Sequence, residues 1–255
     1  MKYMLLMYGG ESNWNDEERK DCMVRSLNIC EELAAQGKFI ATSPLQSITT
    51  AATIRVTDGR PLITDGPFAE TTEQLGGYFL LELADLDEAI AVASKLPSVT
   101  KGTAEIRPVL AIEGLPPSRH LAVGSSDPGL TPFILLCYDD DAAWLEAGPT
   151  ARQEAMKEAV VLTRRLSDAG QYLSASPLHP TDTATCVRVR DGKRLITDGP
   201  FAETHEVLGG FYLIQAASRE AALKVAAQHP GAKRGAVEVR PLFDFSGLRN
   251  SITIS

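Results

Sequence analysis

The sequence lacks most of the features that usually reveal a catalytic function. Its 255 residues include only four histidines and four cysteines, and no two cysteines form a CxxC pair. We find no phosphate-binding loop and no GxGxxG, GxSxG or HExxH motif. These absences argue against the common nucleotide-dependent, serine-hydrolase and zinc-dependent enzyme classes. The sequence therefore predicts neither a cofactor nor a metal ion.

Positive charge and long apolar runs are also scarce. The 25 Lys and Arg residues are outnumbered by 33 Asp and Glu, and the net charge is -8. Because the basic residues form no patch, we expect neither nucleic acid nor a membrane as partner. No apolar run is long enough for a signal peptide or a membrane span, so we expect a cytoplasmic protein. We expect its cysteines to be reduced.

What the chain does have is an internal repeat. The string LITDGPFAET occurs at 62–71 and again at 195–204, inside longer similar segments. Such a duplication predicts two copies of one structural unit. The segment between the copies is rich in Pro, Gly and Ser, which is typical of a linker. The predicted division is a first repeat at 1–112, a linker at 113–131, a second repeat at 132–245 and a tail at 246–255.

Each repeat shows the pattern strand, helix, hairpin, strand, helix, strand. Apolar residues recur at helical spacing within 15–36, and a corresponding helix is predicted at 149–169. Asp58-Gly59 and Asp191-Gly192 are typical of two-residue hairpin turns. This order predicts an α+β fold of two tandem ferredoxin-like repeats. Their sheets are expected to pack face to face, as an intrachain pseudo-dimer.

Strand alternation places charged side chains between the two predicted sheets. In the last strand of the first repeat, Glu105 and Arg107 lie opposite the apolar Ala104 and Ile106. The same reasoning selects four more charged residues, namely Arg55, Arg188, Glu238 and Arg240. Two interpretations are open for this set. The residues form a cross-strand network of ion pairs that fixes the packing, or they contact a ligand directly.

The repeated DGPFAET segment supplies the candidate catalytic carboxylates. Asp65 and Asp198 end a strand, and Glu70 and Glu203 follow the turn. A carboxylate on such a rigid turn is suited to act as a general base. The alternative is that each Asp accepts backbone hydrogen bonds within its own turn.

Aromatic residues close the first strand of each repeat. Tyr8 and Tyr138 are expected either to stack on a planar substrate or to cover the core.

Two histidines make the repeats unequal. His179 and His205 replace Gln46 and Thr72 of the first repeat, and either is a candidate partner for Asp198 in proton transfer. The alternative is that both are solvent-exposed loop residues. If the protein has a catalytic site, the second repeat is the better candidate. The other two histidines, His120 and His229, are expected at the surface.

The motif DGPFAET followed by LGGYFL, with a KYMLLMY strand before it and an EIRP strand after it, resembles the YCII-related superfamily, in particular its DGPF-domain branch. The resemblance covers nearly the whole chain, twice. It implies a dimeric α/β barrel, normally built from two chains, with a cleft between the sheets. It also implies an active site that contains Asp65 and Asp198. The first-helix histidine of some members has no counterpart, because neither 15–36 nor 149–169 contains one.

These observations predict a YCII-like protein that binds an unknown small molecule, with an acid–base active site in the inter-sheet cleft. The alternative is a non-enzymatic regulatory or interaction protein, for example one linked to a sigma factor, with a vestigial cleft. A third reading gives the repeated motifs a purely structural role in folding the pseudo-dimer. A monomer and a homodimer are both compatible with the sequence.

Overall fold

A computed structural model of the chain describes residues 1–68, 73–119, 126–202 and 205–243. The first repeat contains β1 (Lys2–Gly9), α1 (Asp16–Ala35), β2 (Phe39–Pro44), β3 (Ala52–Thr57), β4 (Arg60–Asp65), β5 (Gln74–Glu82), α2 (Leu86–Lys95) and β6 (Thr103–Pro108). The second contains β7 (Thr131–Asp140), α3 (Asp141–Asp168), β8 (Tyr172–Pro177), β9 (Thr185–Arg190), β10 (Lys193–Asp198), β11 (Glu206–Ala216), α4 (Arg219–Ala226) and β12 (Gly235–Pro241). The predicted element order is thus present in both repeats.

The first helices of the two repeats start differently. Helix α1 begins after Asn15, whose side chain accepts a hydrogen bond from the Glu18 amide in a capping box. Helix α3 begins well before the predicted residue 149, because the Asp140 side chain caps an additional helical turn. Gly148, at φ 80°, then kinks the helix. This extra turn carries Trp144, which is buried.

The two hairpin turns have the predicted geometry. Asp58 and Asp191 both have φ 51°, and the glycine that follows each has φ 72°. Two successive residues with positive φ form a type I′ turn, whose twist matches the flanking strands. The turns join β3 to β4 and β9 to β10, with the register of a two-residue loop.

Each hairpin pairs with the sheet of the other repeat. One six-stranded sheet has the order β10-β9-β6-β1-β5-β2, and the other has the order β4-β3-β12-β7-β11-β8. The first-repeat hairpin therefore extends the second-repeat sheet, and the reverse holds for the second hairpin. The predicted face-to-face packing of two sheets is present. This exchange of hairpins is an additional feature: the hairpin of each repeat lies in the sheet of the other repeat.

The sheets enclose an apolar core between them, and each sheet packs its outer face against its helices. Between the sheets lie alternate residues such as Met4, Leu6, Ile134 and Leu136. The side chains at the intervening positions of these strands face the helices instead, and they form two separate clusters. Of the residues that the structure describes, none belongs to a helix long and apolar enough to cross a membrane.

The predicted linker packs against the second repeat. The Arg119 amide donates to the Leu173 carbonyl at 2.7 Å, and the hydroxyl oxygens of Ser118 and Ser174 lie 3.1 Å apart. The segment thus runs beside β8, at the edge of its sheet. His120 and the predicted tail at 246–255 lie outside the described residues.

Candidate functional site

Four of the six charged residues predicted between the sheets are buried and form two ion pairs. Arg107 is 1% exposed and contacts Glu105 at 3.1 Å, and Arg240 is likewise 1% exposed and contacts Glu238 at 3.2 Å. Each guanidinium also donates to backbone carbonyls, for example to that of Gln46 at 2.6 Å. This geometry matches the ion-pair interpretation of the sequence. Burial makes such pairs costly to break, because removing one partner leaves an isolated charge.

The second oxygen of each buried glutamate holds the DGPF turn of the other repeat. The Phe68 amide donates to Glu238 at 2.9 Å, and the Phe68 ring stacks on Tyr138 at 4.0 Å. In the same way, the Phe201 amide of the second repeat donates to Glu105 of the first, and the Phe201 ring stacks on Tyr8. We call the two sets of contacts the DGPF latches; their members are Phe68, Tyr138, Glu238 and Arg240 in one, and Phe201, Tyr8, Glu105 and Arg107 in the other. The repeated motif therefore joins the two halves of the pseudo-dimer.

The latches fill most of the space in which a ligand cleft was predicted. The cavity that remains between the two latches measures about 70 Å³, which is far below the 300–1,000 Å³ typical of ligand pockets. Tyr8 and Tyr138 are enclosed there, and burial raises the pKa of both phenols well above its ordinary value. Arg55 forms an ion pair with Glu206, and Arg188 donates to the Thr103 hydroxyl at 2.7 Å.

The predicted catalytic residues lie elsewhere. Asp65 and Asp198 are exposed at the ends of the edge strands β4 and β10, and Asp65 pairs with Arg219 at 2.7 Å. Neither of them lines the cavity between the latches. Their expected position in the inter-sheet cleft is therefore wrong, because β4 and β10 are the outermost strands of their sheets. His205 is exposed. The other two candidates, Glu70 and Glu203, lie outside the described residues.

A larger cavity lies between α3 and the second sheet. Its volume is about 590 Å³, and apolar residues of α3 and of the linker, including Met156 and Leu115, form much of its wall. We call it the second-repeat cavity. Its polar and aromatic wall is contributed by Cys137, Asp139, Trp144, Arg152, Tyr212 and His229. His179, one of the predicted candidates, also lines it.

Asp139 is the ionisable group with the most unusual setting in this cavity. Its Oδ1 accepts the Trp144 indole N–H at 2.9 Å. Its Oδ2 lies over Gly209, where a Cβ atom would come within 1.9 Å of that oxygen. Burial raises the pKa of the Asp139 carboxyl, although the indole hydrogen bond and the charge of Arg152 oppose this shift. A carboxyl whose pKa is raised holds its proton more readily than an exposed carboxyl, as a group that exchanges protons requires.

His229 and Cys137 form a neutral pair beside it. The His229 Nδ1 accepts the Gly231 amide at 3.1 Å, so the neutral ring carries its proton on Nε2. That nitrogen lies 3.7 Å from the Cys137 sulfur. Burial lowers the pKa of His229 to about 4 and raises that of Cys137 well above its usual value. The pair is therefore an imidazole and a thiol, and His229 is not the surface residue that the sequence analysis expects.

The first repeat has a smaller and less polar counterpart of this cavity. It lies between α1 and the first sheet and measures about 180 Å³. Where the second repeat has Cys137, Asp139, Tyr212 and His229, the first has Met7, Gly9, Phe79 and Leu96. Leu96 and His229 even occupy the same local position, before the short 3-10 helix that follows α2 or α4. Four polar groups have thus been concentrated in one repeat.

Sequence reasoning missed this cluster although a signal was present. A comparison of the aligned repeats, position by position, singles out the four polar replacements at apolar or glycine positions. Two such differences, His179 and His205, are among the predicted candidates, but the sequence alone does not show which others face a common cavity. Within the described part of the chain, no group of His, Cys, Asp and Glu side chains has the arrangement needed to hold a metal ion.

The geometry defines a duplicated α+β protein whose second repeat holds a polar cavity. The YCII-related domain family matches residues 1–113 and again 131–246, so the chain belongs to that family. An uncharacterised protein from Rhizobium meliloti (strain 1021) is 37% identical over 114 residues, which cover 43% of this chain and 92% of the relative. Among solved structures, a crystal structure described as "Putative Chlorite dismutase" aligns over 98% of both chains with 12% identity and a TM-score of 0.44.

Proposed function

We propose that the protein binds a small organic molecule in the second-repeat cavity and exchanges a proton with it through Asp139. The observation that carries the proposal is the convergence of four polar replacements on one cavity. Polar groups in a buried wall cost free energy unless they are satisfied, and the first repeat shows that the fold does not require them. Their retention in a cavity of ligand size is explained by a ligand that uses them.

The walls favour a largely apolar ligand with a planar part. Trp144 and Tyr212 offer aromatic surface, while Met156 and the linker residue Leu115 add aliphatic surface. At about 590 Å³, the cavity lies within the range of pockets that enclose drug-sized molecules. The polar contacts of such a ligand are then made by Asp139, by the imidazole of His229 and by Arg152.

Asp139 is the group suited to chemistry. Desolvation keeps its proton affinity above that of an exposed carboxyl, and its second oxygen points into the site over Gly209. His229 donates from Nε2 in its neutral state and therefore serves as a hydrogen-bond donor rather than as a base. We therefore assign proton exchange to Asp139 and ligand orientation to His229.

A thermal-shift screen tests the binding site. The probes are planar aromatic carboxylic acids and phenols, since both classes combine a flat apolar body with an ionisable group. A ligand at a hundredfold excess over its Kd stabilises the folded state by about 2.7 kcal/mol. We expect hits with the wild type that are lost in Asp139→Gly and in His229→Leu, each of which introduces the first-repeat residue.

The matched control is Met23→Leu, a conservative change in the first-repeat cavity, which should leave every hit unchanged. If the hits survive both second-repeat changes, the proposed site is wrong. A further variant, Asp139→Asn, separates binding from proton exchange. Its amide oxygen still accepts the Trp144 indole N–H, but the group does not titrate. With a phenol as the probe, which is itself uncharged near neutral pH, we expect the pH dependence of binding to disappear while binding itself persists.

A further inference from the structure

The strand β10 forms one edge of its sheet and is exposed along its whole length. All six of its residues are exposed, including Leu195 at 50% and Ile196 at 46%. An edge with free backbone groups and apolar side chains is a template for pairing with another strand. Natural proteins usually protect such edges, so this strand requires an explanation.

The hairpin geometry identifies the backbone groups that face outward. Lys193 and Arg190 flank the two-residue turn and therefore form a hydrogen-bonded pair. From there the pattern alternates along β10. Leu195 and Thr197 direct their N–H and C=O groups toward β9, whereas Arg194, Ile196 and Asp198 direct theirs away from the sheet.

When two copies of this strand lie antiparallel, the three outward-facing residues of one copy are complementary to those of the other. We propose that β10 pairs with β10 of a second copy of this chain, with Ile196 on the twofold axis. In this register Arg194 lies directly opposite Asp198 of the second copy, and the reverse pair forms by symmetry. Three outward-facing residues on each strand supply six backbone hydrogen bonds, and each opposite-charge pair adds to them. The two sheets join into a single twelve-stranded sheet.

The equivalent edge of the first repeat is blocked. Strand β4 has Pro61 where β10 has Arg194, and the missing N–H of Pro61 falls on an outward position of the edge. The carboxylate that corresponds to Asp198 is Asp65, which already pairs with Arg219. Of the two hairpin edges, one is competent and the other is blocked, so pairing through the hairpins gives a closed twofold dimer rather than an open chain of molecules.

Sedimentation equilibrium of the full chain from micromolar to millimolar concentration tests the proposal, which is independent of the proposed function. We expect the wild type to dimerise. Arg194→Pro copies the residue that β4 tolerates at the same place, so the hairpin should still form. Because this change removes two backbone hydrogen bonds and both charge pairs, we expect the dissociation constant to rise by tenfold or more.

Charge exchange provides a second test that does not depend on proline. Asp198→Arg places like charges opposite each other and should weaken the dimer, and the double variant Arg194→Asp with Asp198→Arg should restore it. The matched control Asp65→Asn, on β4, should leave the dimer unchanged. A wild type that stays monomeric throughout overturns the proposal. So does a dimer that is insensitive to Arg194→Pro, or one that the double exchange does not rescue.

Discussion

The two repeats are alike in the contacts that join them, and they differ in the cavities between their helices and sheets. Both DGPF latches use the same Phe, Tyr, Glu and Arg, with nearly the same distances. The helix–sheet cavities differ in volume, at about 590 Å³ against 180 Å³, and in their polar groups. The contacts that build the pseudo-dimer have therefore been kept in both copies, while the cavities have diverged.

This difference shows what duplication in one chain permits. A dimer of identical chains must carry the same residue at both sites, so a change that improves one cavity alters the other as well. Two copies in one chain are free to differ. Here one copy keeps Gly9 and Leu96, while the other carries Asp139 and His229. The remaining predictions test whether the two latches contribute equally to stability and whether the residues of the two cavities behave differently.

The largest effect is expected at the latches, and it should be the same for both. Glu238→Ala leaves Arg240 buried without its carboxylate, and Glu105→Ala does the same to Arg107. Breaking a buried pair in this way costs about 3–5 kcal/mol of unfolding free energy. Urea denaturation followed by circular dichroism measures this loss. The control Glu238→Gln keeps an oxygen for the Phe68 amide and should cost less. If only one of the two alanine variants lost unfolding free energy, the inferred equality of the two latches would be wrong.

A smaller effect is expected from the acid titration of His229. Its pKa is about 4 in the folded protein and about 6.5 when exposed, so at pH 5 the unfolded chain takes up a proton that the folded chain excludes. Stability contributed by the neutral ring is present above pH 6.5 and is lost as the pH falls toward 4. Between pH 7 and pH 5 this loss amounts to about 2 kcal/mol.

His229→Leu removes this titration and introduces the residue of the first repeat. Denaturation at both pH values should therefore show a smaller acid loss in the variant than in the wild type, by the same amount. An equal acid loss in the two proteins would mean that His229 is protonated as readily in the fold as in water.

The smallest effect is expected when alanine replaces Gly209 or Gly76, which occupy equivalent positions in the two repeats. In Gly209→Ala the added Cβ meets Asp139 Oδ2, and the carboxylate must move into the cavity. We expect a loss of about 1 kcal/mol, because a side chain that is able to swing aside relieves part of the overpacking. In Gly76→Ala the nearest atom is the Met7 carbonyl oxygen at 3.7 Å, an ordinary contact. Thermal unfolding should show the difference, and equal losses would argue that the Asp139 carboxylate does not rest over Gly209.

The sequence predicts much of the fold because each signal is local. Hairpin turns at Asp58-Gly59 and Asp191-Gly192, the helical periodicity, and the alternation that directs Glu105 and Arg107 between the sheets depend only on nearby residues. The hairpin exchange is different. The strands β6 and β12 both carry a Glu-x-Arg sequence, so either sheet offers a hairpin the same pairing partner.

The site was harder to predict for a related reason. Asp65 and Asp198 belong to the most conspicuous motif, but they lie on the edge strands β4 and β10 and are exposed. His229 lies about ninety residues after Cys137 and Asp139 in the chain. Only the packing of β7 against the short 3-10 helix at Pro230–Lys233 brings them together. The sequence favours the second repeat, and the proposed site lies in that repeat, but on different residues.

The most direct measurement uses methionines as reporters of the two cavities. Met156 lines the second-repeat cavity and Met23 lines the first-repeat cavity, and the chain has only five methionines. Methyl NMR spectra of protein labelled with 13C at the methionine methyl groups are recorded during titration with an aromatic acid or phenol selected by thermal shift. We predict a saturable shift of the Met156 signal with Met23 unchanged. A shift of Met23 with Met156 unchanged would contradict the assignment of ligand binding to the second repeat.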